Sequence, residues 1–264
     1  SHFLTVLNYL STHKTFSTNM YITNYLTTCL IFIGVSQSKK KIPDYIHVCH
    51  QSDPDLNQCI KNSIEDLRPL LKNGLPELGV PSIEPLVIKE LIATQGTALT
   101  VTTKDIKAYG GGNFTIKNLH VDVTNHRYDF TLGFDHLRLE GKYDVDGKII
   151  MIMVKGTGNM EADVYDVEGA VTMESELYTK EDIKQVRFTA MTVDAKVGKG
   201  KILLDNLFGG DKLIGETINA AINLNFPYFI NELKPMISQT LTTFILESAN
   251  NIVDGLSYED LLPA

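Results

Sequence analysis

The chain has 264 residues, 43% of them hydrophobic and 21% charged, with a formal net charge of -8. That is ample for one hydrophobic core and excludes a low-complexity or disordered chain. The acidic balance argues against a nucleic-acid partner and against attraction to an anionic membrane surface.

Met20 reads as a start residue, which leaves residues 1–19 outside the product. Residues 26–35 (LTTCLIFIGV) form an apolar run, followed by the small and polar Ser36-Gln37-Ser38. This is the pattern of a secretory signal peptide, and the run is shorter than the roughly twenty residues that span a bilayer. No Lys or Arg precedes it after Met20, and an N-terminal core helix is the alternative. The reading divides the chain into 1–38, upstream residues and leader, and 39–264, a single domain with its mature start near 37–41. It makes the protein secreted and extracellular, with no stable membrane anchor. Cys29 then leaves with the leader. Cys49 and Cys59, close in sequence in an exported chain, point to a disulfide, with two free buried thiols as the alternative. Export also gives meaning to Asn113-Phe114-Thr115, a glycosylation sequon at Asn113.

Residues 53–73 carry apolar residues at helical spacing behind Asp53 or Asp55 as a cap, and Asn73-Gly74 ends the pattern. The Pro/Gly-rich segment 74–85 reads as a connector. From 86 to 204 the period changes to two. Strands are expected at 101–106, 114–123, 128–143, 148–157, 160–178, 186–197 and 201–207, with a hairpin turn at Asp144-Val145-Asp146-Gly147. Tyr128, Phe130, Leu132 and Phe134 alternate with polar residues, but Leu137, Leu139 and Tyr143 have the other parity. That switch predicts a bulge near 134–136, and a similar slip falls near Lys117-Asn118. Residues 211–224 read as a short helix.

Residues 227–253 read as a long helix. Asn225 is placed to cap it, Pro227 suits its first turn, Pro235 should kink it, and Gly255 is placed to stop it. Phe229, Ile230, Leu233, Met236, Ile237, Leu241, Phe244, Ile245 and Ile252 form an apolar stripe. Asn231, Glu232, Gln239, Thr242 and Asn250 fall on the other face. The stripe is wider than the ~100° that suffices for a helix lying on a surface. A curved antiparallel sheet with one apolar face is what would wrap such a helix, and the fold class is α+β.

Several stretches then resemble one family in order. They are Cys49 with Cys59, Leu75-Pro76-Glu77-Leu78-Gly79-Val80-Pro81, Tyr109-Gly110 and Gly141-Lys142-Tyr143-Asp144-Val145-Asp146-Gly147. Asn206-Leu207-Phe208-Gly209-Gly210-Asp211-Lys212, Glu232-Leu233-Lys234-Pro235 and the tail Tyr258-Glu259-Asp260-Leu261-Leu262-Pro263 follow. Together they resemble the insect takeout and juvenile-hormone-binding protein family over nearly all of 44–263. Phe226 stands where the family usually has Trp. The moth hormone carriers have a second cysteine pair, so this chain is nearer to takeout. The resemblance implies a long helix wrapped by a curved sheet, a lipid-binding TULIP-like fold. It also implies an internal apolar tunnel for a small hydrophobic ligand: a juvenile-hormone-like terpenoid, a fatty acid or another lipid.

No GxSxG elbow, HExxH pair, P-loop or CxxC occurs, which argues against an enzyme, and no cofactor is expected. His120, Asp122 and His126 are the nearest approach to a metal-ligand set and read as a solvated strand end. Gly110-Gly111-Gly112 is a possible anion cradle, read as an irregular turn. A secreted carrier is the leading reading. A secreted interaction or signalling protein without ligand, or a hydrolase, is the alternative. Expected ligand walls are Tyr128, Phe130, Leu132 and Phe134 on the sheet, and Phe226, Phe229, Ile230, Leu233, Ile237, Leu241 and Phe244 on the helix. Leu67, Leu70 and Leu71 would close one end. Tyr128 is the expected polar handle, having an apolar body and a hydroxyl. The sequence names no protein receptor.

Overall fold

Asp55 starts the first helix by accepting a hydrogen bond from Gln58 N (3.4 Å). Helix α1 (Leu56–Asn73) then runs to Gly74, whose φ of 83° suits glycine. The computed structural model describes residues 41–95, 99–149 and 151–264, so the expected leader lies outside the described residues. Cys49 and Cys59 form a disulfide that ties the segment before α1 to its first turn. Segment 74–85 is more than a connector. Its Leu75, Leu78 and Val80 are buried and pack with Leu71 and Ile252.

Six strands follow: β1 (Leu86–Gln95), β2 (Leu99–Tyr109), β3 (Thr115–Asp122), β4 (Arg127–Ile149), β5 (Ile152–Lys180) and β6 (Ile183–Leu204). They form one antiparallel sheet in the order β1-β2-β4-β5-β6, with β3 paired to the first part of β4. The hairpin expected at Asp144–Gly147 does not form, because those residues continue β4. Val145 is buried in the core, while Asp144 accepts from Thr157 Oγ1 (2.9 Å) and Asp146 from Lys155 Nζ (2.8 Å). The alternation is therefore that of a strand. The chain reverses later, where Ile149 pairs with Ile152. The expected breaks in β5 and β6 are also absent. The glycines there make room instead: a Cβ on Gly200 would lie 2.4 Å from the Phe226 ring, and one on Gly198 would lie 2.8 Å from Asp166 Cβ.

The parity switch expected near 134–136 is present, and β5 and β6 switch beside it. Buried Ala162 and Val164 give way to Val171 and Met173 on β5, and Ile202 and Leu204 to Met191 on β6. The β4–β5 register is unchanged across this line, so neighbouring strands invert together. The slip near Lys117 appears as a register shift between Ile116 and Asn118. Such irregularities curl a sheet instead of leaving it flat.

Helix α2 (Lys212–Leu224) is capped by Asp211, and α3 (Phe226–Val253) follows it directly. Asn225 stands at the start of α3, but its side chain does not cap that helix. Its Nδ2 donates back to Ala221 O (2.8 Å), because the close join leaves the last turn of α2 needing a donor. Helix α3 continues through Pro235 as one element. A short helix, α4 (Tyr258–Leu261), leads to a tail that accepts from Gln51 N at Pro263 O (2.6 Å).

An edge strand exposes unpaired backbone groups. On β6 three asparagines supply partners. Asn219 accepts from Leu204 N (2.9 Å) and donates to Leu204 O (2.9 Å). Asn223 does the same for Ile202 (2.8 and 2.8 Å), and Asn250 for Phe188 (2.9 and 3.0 Å). The sequence reading placed Asn250 on the polar face; the structure turns it to the sheet edge. Asn219→Ala should cost about 2–4 kcal/mol, because it strands two buried backbone groups. Asn223→Ala, at a half-buried site, should cost less. Urea unfolding measures both, and losses under about 0.5 kcal/mol at Asn219 would show that the clamp does not bear on stability.

Candidate ligand-binding site

Helix α3 lies along β6 and also approaches β1, the opposite edge of the curled sheet. Its first turns are sealed. Phe226 and Phe229 are buried, and Phe229, Ile230 and Leu233 join a cluster with Val101, Tyr143 and Val154. Tyr143 donates from its hydroxyl to Asp205 O, and burial, with Asp205 and Asp144 nearby, pushes its pKa up to about 12. The last turns are sealed as well. Ile245, Leu246 and Ala249 pack on Tyr128, Phe130, Val171 and Met173, and Val253 packs on Val186 and Tyr258.

The middle differs. Met236, Ile237, Leu241 and Phe244 are half-buried and join none of these clusters among the described residues. Leu132 and Phe134 on β4 are in the same state. Gly169 pairs across from Leu132 and shares the face of Val171 and Met173. A Cβ built on Gly169 meets nothing within 4 Å. Beside this stretch a cavity of about 540 Å³ lies between residues 87–92 of β1 and Met236, Gln239, Thr240, Thr243, Phe244 and Glu247 of α3. That volume falls within the range of small-ligand sites; the cavity is open to solvent, and Lys89, Glu90, Gln239, Thr240, Thr243 and Glu247 make half of its lining polar or charged.

The expected wall residues thus fall into separate places. Phe226, Phe229, Ile230 and Leu233 pack in or beside the first sealed end, and Tyr128 and Phe130 in the second. Leu132, Phe134, Ile237, Leu241 and Phe244 are half-buried outside both clusters, and of these five Phe244 borders the cavity. Leu67 is half-buried on α1, Leu70 is 37% exposed, and Leu71 packs under the Leu75–Val80 segment. Tyr128 sets its ring edge-on to Phe188 at 5.4 Å, and its hydroxyl lies 3.4 Å from Ser175 Oγ. Asn113 is exposed, and its Oδ1 accepts from Lys72 Nζ (3.1 Å). The sequence reading missed β1 as a wall, and with it Ile88 and Leu91. Gln239, expected on the polar face, is exposed and also borders the cavity.

The other candidate chemistry is accounted for by the protein itself. Asp122 accepts from Asn125 N (2.9 Å) and Nδ2 (2.7 Å), which lowers its pKa, and His126 packs edge-on to Tyr258 at 6.4 Å. With His120 exposed, the three do not converge on one point. The glycine cradle is filled by Glu84, whose carboxylate accepts from Gly110 N (2.9 Å) and Gly112 N (3.1 Å). His47 lies near the two cysteine sulfurs, which are joined to each other and offer no thiolate.

The profile of the family described as haemolymph juvenile hormone binding protein (JHBP) matches residues 27–263. The chain belongs to this family. Its fold is that of Epiphyas postvittana Takeout 1, with a TM-score of 0.72 at 20% identity, covering 82% of this chain and 99% of that one. It is also similar to the circadian clock-controlled protein daywake of Drosophila melanogaster, at 22% identity over 76% of this chain and 82% of daywake. A putative beta-carotene-binding protein of Schistocerca gregaria is 22% identical over 83% of this chain and 88% of its own length. As a JHBP-family chain, this one shares the curled half-barrel closed by a long helix. No helix among the described residues is long and apolar enough to cross a membrane.

The division of α3 into sealed ends and an open middle has a direct test. Phe229→Ala should cost about 3–5 kcal/mol, as for a packed core phenylalanine. Phe244→Ala should cost roughly half of that or less, since its side chain already borders open space. Urea unfolding without added ligand decides it, and equal losses would mean that the middle is packed like the ends.

Proposed function

We propose that this protein is a secreted, non-enzymatic carrier that binds one small hydrophobic ligand in an apolar tunnel beneath the middle of α3. Leu132, Phe134, Ile237, Leu241 and Phe244 form the walls. The sealed clusters close the two ends, and the β1–α3 cavity is the mouth. The observation that carries this reading is the half-buried apolar middle of α3 beside a cavity of about 540 Å³. Family membership supports it, as does a relative whose name includes carotene binding.

The mechanism is burial and needs no reacting group. Apolar ligand surface leaves water with a gain of about 25 cal/mol per Å². Half-exposed side chains in the middle of α3 gain contact partners at the same time, while the ends stay fixed. Secretion fits the expected leader and the disulfide, which persists in oxidising compartments.

Gly169 supplies the test. A side chain there enters open space, so Gly169→Phe should fold with stability within about 1 kcal/mol of the parent, where overpacking a tight core costs about 1–3 kcal/mol. It should also weaken a fluorescent fatty-acid probe at least tenfold. A fully stable variant that binds the probe unchanged would remove this region as the site. A parent protein that binds no apolar probe would remove the carrier reading.

A further inference from the structure

Thr103 carries a buried hydroxyl with no hydrogen-bond partner. Its side chain is 7% exposed. It follows Leu99 and Val101 on the inward face of β2, and it pairs with Leu91 on β1 and Tyr143 on β4. Leu91 lines the cavity. Tyr143 is not the partner: its hydroxyl donates to Asp205 O, and no hydrogen bond joins it to Thr103. Among the described residues the other such atom is His126 Nδ1; neither residue lines the cavity itself, but Thr103 is the cross-strand neighbour of Leu91, which does, whereas His126 lies on the Tyr258 side. Thr103 is therefore an unanswered polar point beside the inner wall of the mouth. A buried hydroxyl left without a partner is costly, and such groups are normally satisfied.

We propose that Thr103 anchors the polar group of the ligand, and that the ligand is an uncharged amphiphile bearing one oxygen function, such as a long-chain alcohol, ester or ketone. This rests on the carrier reading above and adds its chemical class. The hydroxyl both donates and accepts, so it can meet an alcohol, or a carbonyl oxygen that accepts only. A carboxylate would need a cation or several donors to replace its water. The ionic residues of the lining are Lys89, Glu90 and Glu247, all exposed, and Glu90 already faces Lys104 at 3.4 Å. With Glu90 paired to Lys104, Lys89 and Glu247 balance each other, so the opening has no excess of cations to hold an anion. Gln239, Thr240 and Thr243 offer further neutral partners at the same opening.

The experiment is displacement of N-phenyl-1-naphthylamine by dodecanol, methyl dodecanoate, dodecane and dodecanoic acid at pH 8, with the whole protein and its Thr103→Val and Thr103→Ser variants. Valine keeps the shape and removes the hydroxyl. It should weaken dodecanol and methyl dodecanoate roughly five- to tenfold, the worth of one hydrogen bond. Dodecane and the naphthylamine should bind it unchanged. Serine should restore the affinity, and the melting temperature of the ligand-free valine variant should not fall. The parent should bind the ionised acid more weakly than the alcohol. Equal effects of valine on dodecane and dodecanol, or none on either, would overturn the anchor. Dodecanoic acid binding as tightly as dodecanol would overturn the uncharged class. In both cases the carrier reading would stand. A parent that binds none of these compounds would end both.

Discussion

The structure depends on side-chain amides that complete the edge of a sheet. Asn219, Asn223 and Asn250 each make the two hydrogen bonds that a neighbouring strand would make to β6. The outer strand is thereby satisfied at Phe188, Ile202 and Leu204, where it offers no template to another chain. The same bonds fix where the helices lie. Asn219 and Asn223 are four residues apart on one face of α2, matching alternate residues of the strand. Asn250 holds the far end of α3. A Lys234–Asp194 ion pair (2.5 Å) adds a tether between these attachments, and holds the Asp194 carboxyl below its usual range.

Anchoring at the ends leaves the middle of α3 free of the need to pack. Dense clusters form where Phe226 and Phe229 meet the sheet and where Ile245 to Ala249 meet it, and together they support the helix at both ends. The sheet curls where its strands invert their pleat together, near Asp135, Asp166 and Gly198. The residues opposite Leu132 are small, Gly169 on β5 and then Ala195 on β6. Interiors are normally close-packed, so a cavity bordered by Phe244 and Met236 represents forgone contact. In a carrier that forgone contact becomes binding energy when a ligand supplies the missing atoms.

Much of this was legible in the residues. The helix at 227–253, the parity switch near Phe134 and the slip at Lys117 all follow from periodicity, which burial imposes directly on sequence. The hairpin at Asp144–Gly147 misled because turn-forming residues also serve in a long twisted strand when Val145 is held in the core. The roles of Asn219, Asn223 and Asn250 were hidden, since an amide facing a strand edge has the same helical spacing as one facing water. The wall residues could not be sorted from sequence. Phe229 and Phe244 are alike in type and lie on one stripe, and only the position of the anchors separates core from cavity. Thr103 was invisible for a related reason: a threonine in a strand is ordinary, and only its missing partner sets it apart.

The central claim is that the apolar middle of α3 faces space that a ligand fills. Native mass spectrometry of the protein, purified from insect-cell medium without detergent, tests it most directly. The account predicts a non-covalent adduct of a few hundred daltons that is lost on denaturation and recovered by organic extraction as an apolar compound. The bare polypeptide mass, persisting after incubation with saturating long-chain alcohols, esters and acids, would contradict it.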